Sequence, residues 1–172
     1  TGSVLADLRE EMAQIDDGYR LDLQVVEVDP RMPELAGLDL LATDSDHAAH
    51  CQTALSRIGG ANRIEFASNR AVISRRSGGA LDKVVAVARA CSGLRIEIQG
   101  HTDSTGRRTS NMTLSRDRAG AVKDYLVERG LSADRLTAVG YGPDRPTASN
   151  RTESGRAKNR RIEYRVIRGE TR

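Results

Sequence analysis

The hydrophobic and polar positions fall into two regimes. Near the start, Val4, Leu5, Leu8, Met12 and Ile15 return to one face every three to four residues and predict an amphipathic helix stopped at Gly18. Tyr19, Leu21, Leu23 and Val25 then alternate with Arg20, Asp22 and Gln24, the pattern of a half-buried strand. The stretch 29–42 carries Pro30, Pro33 and Gly37 and reads as irregular. Thr43 and Asp46 resemble a capping box with Asp in place of Glu or Gln. The helix after them would turn Ala48, Cys51, Leu55 and Ile58 inward and end at Gly59-Gly60.

From about residue 61 strand and helix patterns alternate. Ile64 and Phe66 predict a short strand, and Leu81, Val84, Val85 and Ala88 a helix ending near Cys91–Gly93. Leu94, Ile96 and Ile98 alternate with Arg95, Glu97 and Gln99 and run into Gly100. A polar loop at 101–110 leads to a long helix that opens near Asn111 and is stopped by Gly130. Leu136 and Ala138, before the turn Gly140-Tyr141-Gly142-Pro143, suggest another strand. A short helix around 153–159 precedes a last strand through Ile162, Tyr164 and Val166. This order predicts a layered α/β (α+β) domain of βαβαβ type over 61–172, preceded by a small α/β subdomain over 1–60.

Composition narrows the classes. The 172 residues (18.7 kDa) are 38% hydrophobic and 30% charged, which suits a packed core. Aromatics are only 3%, with no Trp and one Phe, against a base-stacking nucleic-acid platform. No run is apolar and long enough for a membrane span, and no secretory segment is present, so any export signal or anchor would have to lie outside this sequence. The net charge of +3 divides into +7 over residues 95–172 and −4 over residues 1–94. Arg75-Arg76, Arg107-Arg108 and Arg156-x-Lys158-x-Arg160-Arg161 read as solvated faces, with nucleic acid as the sharper alternative.

The candidate chemistry centres on Gly100-His101-Thr102-Asp103-Ser104-Thr105-Gly106. A small-residue loop between a strand and a helix N-terminus suits an anion, because unpaired N–H groups and the helix dipole converge there. On the helix that follows, Asn111, Leu114, Arg118 and Tyr125 share one face with Ala121 and Val122, which is expected to be the buried stripe. A guanidinium there needs an anion. Either Asp103 pairs with Arg118 and ties loop to helix, or the two together hold a zwitterion, Arg118 gripping a carboxylate and Asp103 an ammonium. His101 beside Asp103 invites a catalytic reading, but no nucleophile elbow, zinc-protease helix or Walker loop accompanies it. His47-x-x-His50-Cys51 has helical metal-ligand spacing, although surface histidines explain it as well. Cys51 and Cys91 are either a disulfide or two buried thiols.

The run Ile96-Glu97-Ile98-Gln99-Gly100-His101-Thr102-Asp103-Ser104-Thr105-Gly106, followed by Asn111-x-x-Leu114-Ser115-x-x-Arg118-Ala119, resembles the OmpA C-terminal-like (OmpA/MotB/Pal) family. So do Gly140-Tyr141-Gly142, Pro146, Asn150-x-Thr152 and Gly155-Arg156-Ala157-x-Asn159-Arg160-Arg161-Ile162-Glu163, in consistent order over about residues 62–168. The resemblance implies helices packed on a mixed sheet and non-covalent binding of peptidoglycan through the diaminopimelate of its stem peptide. In the family, the residues at Asp103 and Arg118 hold the charged groups of that ligand, and Thr102, Asn111, Leu114 and Arg161 fall where the same pocket is lined. It further implies a periplasmic protein of the outer membrane or envelope of a Gram-negative-type bacterium, membrane-anchored through a segment absent from this sequence. A wall anchor of a Pal-type lipoprotein or a stator-type complex fits the same class. No cofactor, metal, nucleic-acid partner or enzymatic activity is expected, a peptidoglycan amidase being the enzymatic alternative. An oxidising compartment favours the Cys51–Cys91 bridge. Residues 1–60 resemble a BON module only in outline.

Overall fold

The computed structural model describes residues 46–68 and 70–167, together with 32–35, 38 and 40. The helix expected over 4–15, the strand over 19–25, Thr43 of the capping box and most of the BON-like outline lie outside the described residues.

Among the described residues a three-stranded mixed sheet is accompanied by four α-helices, the first and third of which pack directly on it. The helices are α1 (His47–Ala61), α2 (Gly78–Ala90), α3 (Arg108–Glu128) and α4 (Glu153–Asn159); the strands are β1 (Arg95–His101), β2 (Leu136–Gly142) and β3 (Ile162–Ile167). The sheet order is β2-β1-β3. β1 runs parallel to β2, with Ile98 opposite Ala138, and antiparallel to β3, with Ile98 opposite Tyr164. Because a parallel pair needs a crossover, α3 joins β1 to β2. The β1–α3–β2–α4–β3 series is the expected βαβαβ order.

Local pattern explains most boundaries. Cys51, Ala54, Leu55 and Ile58 form the buried stripe of α1 at helical spacing. Burying a side chain such as Leu55 contributes roughly 2 kcal/mol. Ala48 is only half-buried, and α1 continues through Gly59-Gly60 to Ala61 rather than ending at the glycines. There Gly59 lies against the Tyr164 ring of β3, so tertiary packing overrides the weak local propensity. Gln52 adds polar anchoring: its amide donates to Tyr164 O at 2.9 Å and accepts from Val166 N at 2.7 Å, satisfying part of the outer edge of β3.

Cys51 and Cys91, both fully buried, form a disulfide between α1 and the end of α2. It withdraws Cys51 from the His47-x-x-His50-Cys51 trio, and no group of three His, Cys, Asp or Glu side chains among the described residues could hold a metal. Through this bond and its contacts with β3, α1 shares the main core, so the packed unit reaches back across residue 60 to at least His47.

The strand expected at Ile64–Phe66 is reduced to one bridge, Phe66 to Ile73. The segment folds back on itself, with Ala67 N donating to Val72 O and Ser74 N to Glu65 O, instead of extending the sheet.

The stripe of α3 also differs from expectation. Its buried residues are Asn111, Ser115, Ala119, Val122 and Leu126, which leaves Arg118 and Tyr125 half-buried on the flank. Gly100 and Gly140 explain the register. A Cβ on Gly100 would lie 2.0 Å from Ser115 O, and one on Gly140 2.4 Å from Arg116 N, so α3 rests its backbone on the glycines of both strands. Ser115 Oγ seals the contact by accepting from Gly142 N at 2.9 Å.

Candidate functional site

The close seating of α3 brings its first two turns beside the loop that leaves β1. That loop is held from both sides. Thr102 N donates to Gly142 O, and Ser104 N to Asn150 Oδ1 at 3.3 Å. Asn111, buried on α3, donates to Thr105 O at 2.9 Å, and Thr105 N donates to Asp103 Oδ1 at 2.8 Å in an Asx turn. Asp103 is thereby fixed at 8% exposure, one carboxylate oxygen engaged by its own loop.

The other oxygen accepts from Arg160 Nη1 at 2.7 Å. Arg160 Nη2 donates to Glu153 Oε1 at 2.7 Å, and Glu153 Oε2 accepts from Arg156 at 2.8 and 3.0 Å. A charge relay Asp103–Arg160–Glu153–Arg156 therefore lines one wall. Burial pushes the Asp103 carboxyl pKa up, but the hydrogen bonds from Arg160 and Thr105 outweigh it and hold the group below its ordinary range.

Arg118 faces this wall without joining it. The direct Asp103–Arg118 ion pair is not formed. Its Nε donates to Arg70 O at 3.2 Å, and its guanidinium sits 5.0 Å from the centre of the Phe66 ring. Among the described residues it has no carboxylate within ion-pair distance. Burial, followed by repulsion from Arg160 and Arg63, lowers its pKa, and Asp103 offsets this in part. A desolvated cation short of negative charge is able to take an anion.

Between these walls lies a cleft of about 530 Å³ lined by Thr102, Asp103, Thr105, Asn111, Leu114, Arg118, Glu153, Arg156 and Arg160. Five residues singled out in the sequence (Thr102, Asp103, Asn111, Leu114 and Arg118) meet there. Arg161 does not. It lies in register with β1, its carbonyl accepting from His101 N. Its side chain falls with that of Glu163, two residues on, and donates to the Glu163 carboxylate at 2.6 Å and to Arg145 O at 3.1 Å. Thr105 comes with the loop itself, and Arg160, Glu153 and Arg156 are the lining residues that sequence reasoning did not assign to the site. Glu153 with Arg156 at i+3 and Arg160 at i+7 places all three along one helical face, a signal hidden by reading the basic run as solvated.

The outer loop depends on Asn159, which is fully buried. Its Oδ1 accepts from Thr147 N and Ala148 N, and its Nδ2 donates to Ala148 O and Asn150 Oδ1. Arg107-Arg108 is partly structural as well, Arg108 pairing with Asp144. His101 is buried, stacks on Tyr141 with ring centres 5.5 Å apart, and has no hydrogen-bond partner at either ring nitrogen.

The fold is that of an OmpA-like domain. Residues 65–160 match the OmpA family, and the chain belongs to it. Over 119 residues it is 40% identical to the peptidoglycan-binding protein ArfA of Mycobacterium tuberculosis, covering 69% of this chain and 36% of that protein. It is 41% identical over 103 residues to outer membrane porin F of Pseudomonas fluorescens, covering 60% of this chain and 32% of that protein. The chain thus spans about a third of the length of these curated relatives. The peptidoglycan-associated lipoprotein from Burkholderia pseudomallei has a similar structure, with a TM-score of 0.57 and 27% identity over 62% of this chain and 92% of that one. The cell wall anchor of the type VI secretion system from Pseudomonas aeruginosa aligns with a TM-score of 0.56 and 27% identity, over 67% and 97% of the two chains.

Proposed function

We propose that this domain binds peptidoglycan without covalent chemistry, holding the diaminopimelate of the stem peptide between Asp103 and Arg118, and so tethers its parent protein to the wall in the cell envelope. The observation that carries this reading is the pairing, across one cleft, of a nearly buried carboxylate with a half-buried guanidinium that no carboxylate of the described residues meets. A free amino-acid head is both cation and anion. Arg118 takes its carboxylate bidentately. Its ammonium competes with Arg160 for Asp103, and Glu153 retains Arg160 when it yields. Thr102 Oγ1, buried and unpartnered, offers the ligand a further hydrogen bond. Leu114 supplies apolar wall, and Asn111 keeps the loop in place.

Sedimentation with purified sacculi tests this. Asp103→Asn and Arg118→Gln are each expected to leave the protein in the supernatant at a concentration where wild type pellets, with unchanged far-UV circular dichroism. Sacculi with diaminopimelate are expected to bind and those with lysine at that position to bind at least tenfold more weakly, because lysine lacks the carboxylate that Arg118 takes. Undiminished pelleting of both folded variants sinks the proposal.

A further inference from the structure

A second cleft, of about 380 Å³, adjoins the first and shares Arg118 and Arg160 with it. Its walls add Arg63 and Arg161, and Glu65 is the one carboxylate among its lining residues. Arg160 and Arg161 spend charge on Asp103, Glu153 and Glu163, whereas neither Arg63 nor Arg118 has a carboxylate within ion-pair distance among the described residues. A separate observation points the same way. His101 lines this cleft at 2% exposure, and neither ring nitrogen has a hydrogen-bond partner. The nearest acidic oxygen, Glu163 Oε2, is 3.7 Å from Nε2. A neutral imidazole always carries one N–H, and leaving it buried and unpaired costs about 1–3 kcal/mol.

We infer that this second cleft is a carboxylate subsite, in which Arg63 and the His101 N–H receive the acidic group of the residue preceding diaminopimelate in the stem peptide. The inference rests on the binding mode proposed above. The two clefts share Arg118 and Arg160, so a peptide whose free amino-acid head is seated on Asp103 and Arg118 can run on into the second. A carboxylate there is the γ-linked glutamate's α-carboxylate, one residue away along the same chain. It would satisfy His101 and relieve the repulsion that Arg63 and Arg160 exert on Arg118. Glu65 at the rim disfavours a more highly charged anion.

Calorimetric titration with three probes tests the inference: meso-diaminopimelate, γ-D-glutamyl-meso-diaminopimelate, and the same dipeptide with its α-carboxylate amidated. Wild type is expected to bind the acidic dipeptide roughly tenfold more tightly than diaminopimelate or the amidated dipeptide, as for one partly exposed charge-assisted contact. Arg63→Gln alters an exposed side chain and is expected to erase that preference with far less effect on the affinity for diaminopimelate alone. If diaminopimelate binds but all three probes bind alike, or if Arg63→Gln weakens all three equally, the subsite is overturned and the Asp103–Arg118 site stands. If no probe binds, both fail together.

Discussion

The buried histidine of the second cleft makes the domain's acid stability calculable. In the folded chain the His101 pKa is lowered to about 4 from 6.5, first by burial and then by Arg161 and Arg145, with Glu163 offsetting only part. Between those two values the unfolded chain takes up a proton that the folded protein refuses. Stability is therefore fully present above pH 6.5, falls as the pH is lowered toward 4, and loses nothing more from this residue below it. An undiminished shift of that size corresponds to about 3 kcal/mol, and since the ring borders an open cleft where water screens the charge, about 1–2 kcal/mol is the expected loss between about pH 7 and pH 4.5. Urea unfolding at closely spaced pH values over that range measures it, and His101→Gln should flatten the profile whatever it does to stability at neutral pH. A wild-type profile that is level across the interval, or a variant profile with the same slope, would refute the claim that burial and the surrounding arginines keep this imidazole neutral.

Other outcomes follow from packing. Gly100→Ala should lower stability by about 3 kcal/mol or more, because its Cβ would meet Ser115 O at 2.0 Å and α3 would have to lift off both strands. Gly120→Ala, in the same helix with nothing within 4 Å, should instead stabilise by up to about 1 kcal/mol, both read from urea midpoints. Asn159→Ala removes five hydrogen bonds from a fully buried side chain and should cost about 3 kcal/mol, with faster amide exchange over 147–150. Reducing the Cys51–Cys91 bond, which spans 40 residues, should cost about 4 kcal/mol in the chain-entropy picture, measured as a drop in melting temperature with and without reductant.

Much of this domain is local in origin. Ile96 and Ile98 alternating with charged neighbours, and Leu81, Val84, Val85 and Ala88 at helical spacing, are properties of a few consecutive residues, so β1 and α2 are legible without the fold. The short helix at Glu153–Asn159 and the strand after it follow in the same way. The Gly-x-x-Asp loop and the Arg fifteen positions on are a sequence-level signature as well, and the chain's membership of the OmpA family agrees with the resemblance it suggested.

Pairing across the fold was not legible in that way. Asp103 takes its cation from Arg160, 57 residues away, rather than from Arg118, because α4 and β3 return the chain to the end of β1. Arg118 stands off the buried stripe of α3 because Gly100 and Gly140 let Ser115 settle onto the sheet, a rotation set by two backbones meeting. The same closure buries His101 among arginines whose nearness no spacing along the chain announces. Periodicity is written in neighbours. Which charges remain unmatched is decided only when distant segments share one dielectric environment, and that is why the elements could be read from the sequence while the unpaired cation and the orphaned imidazole had to be seen in three dimensions.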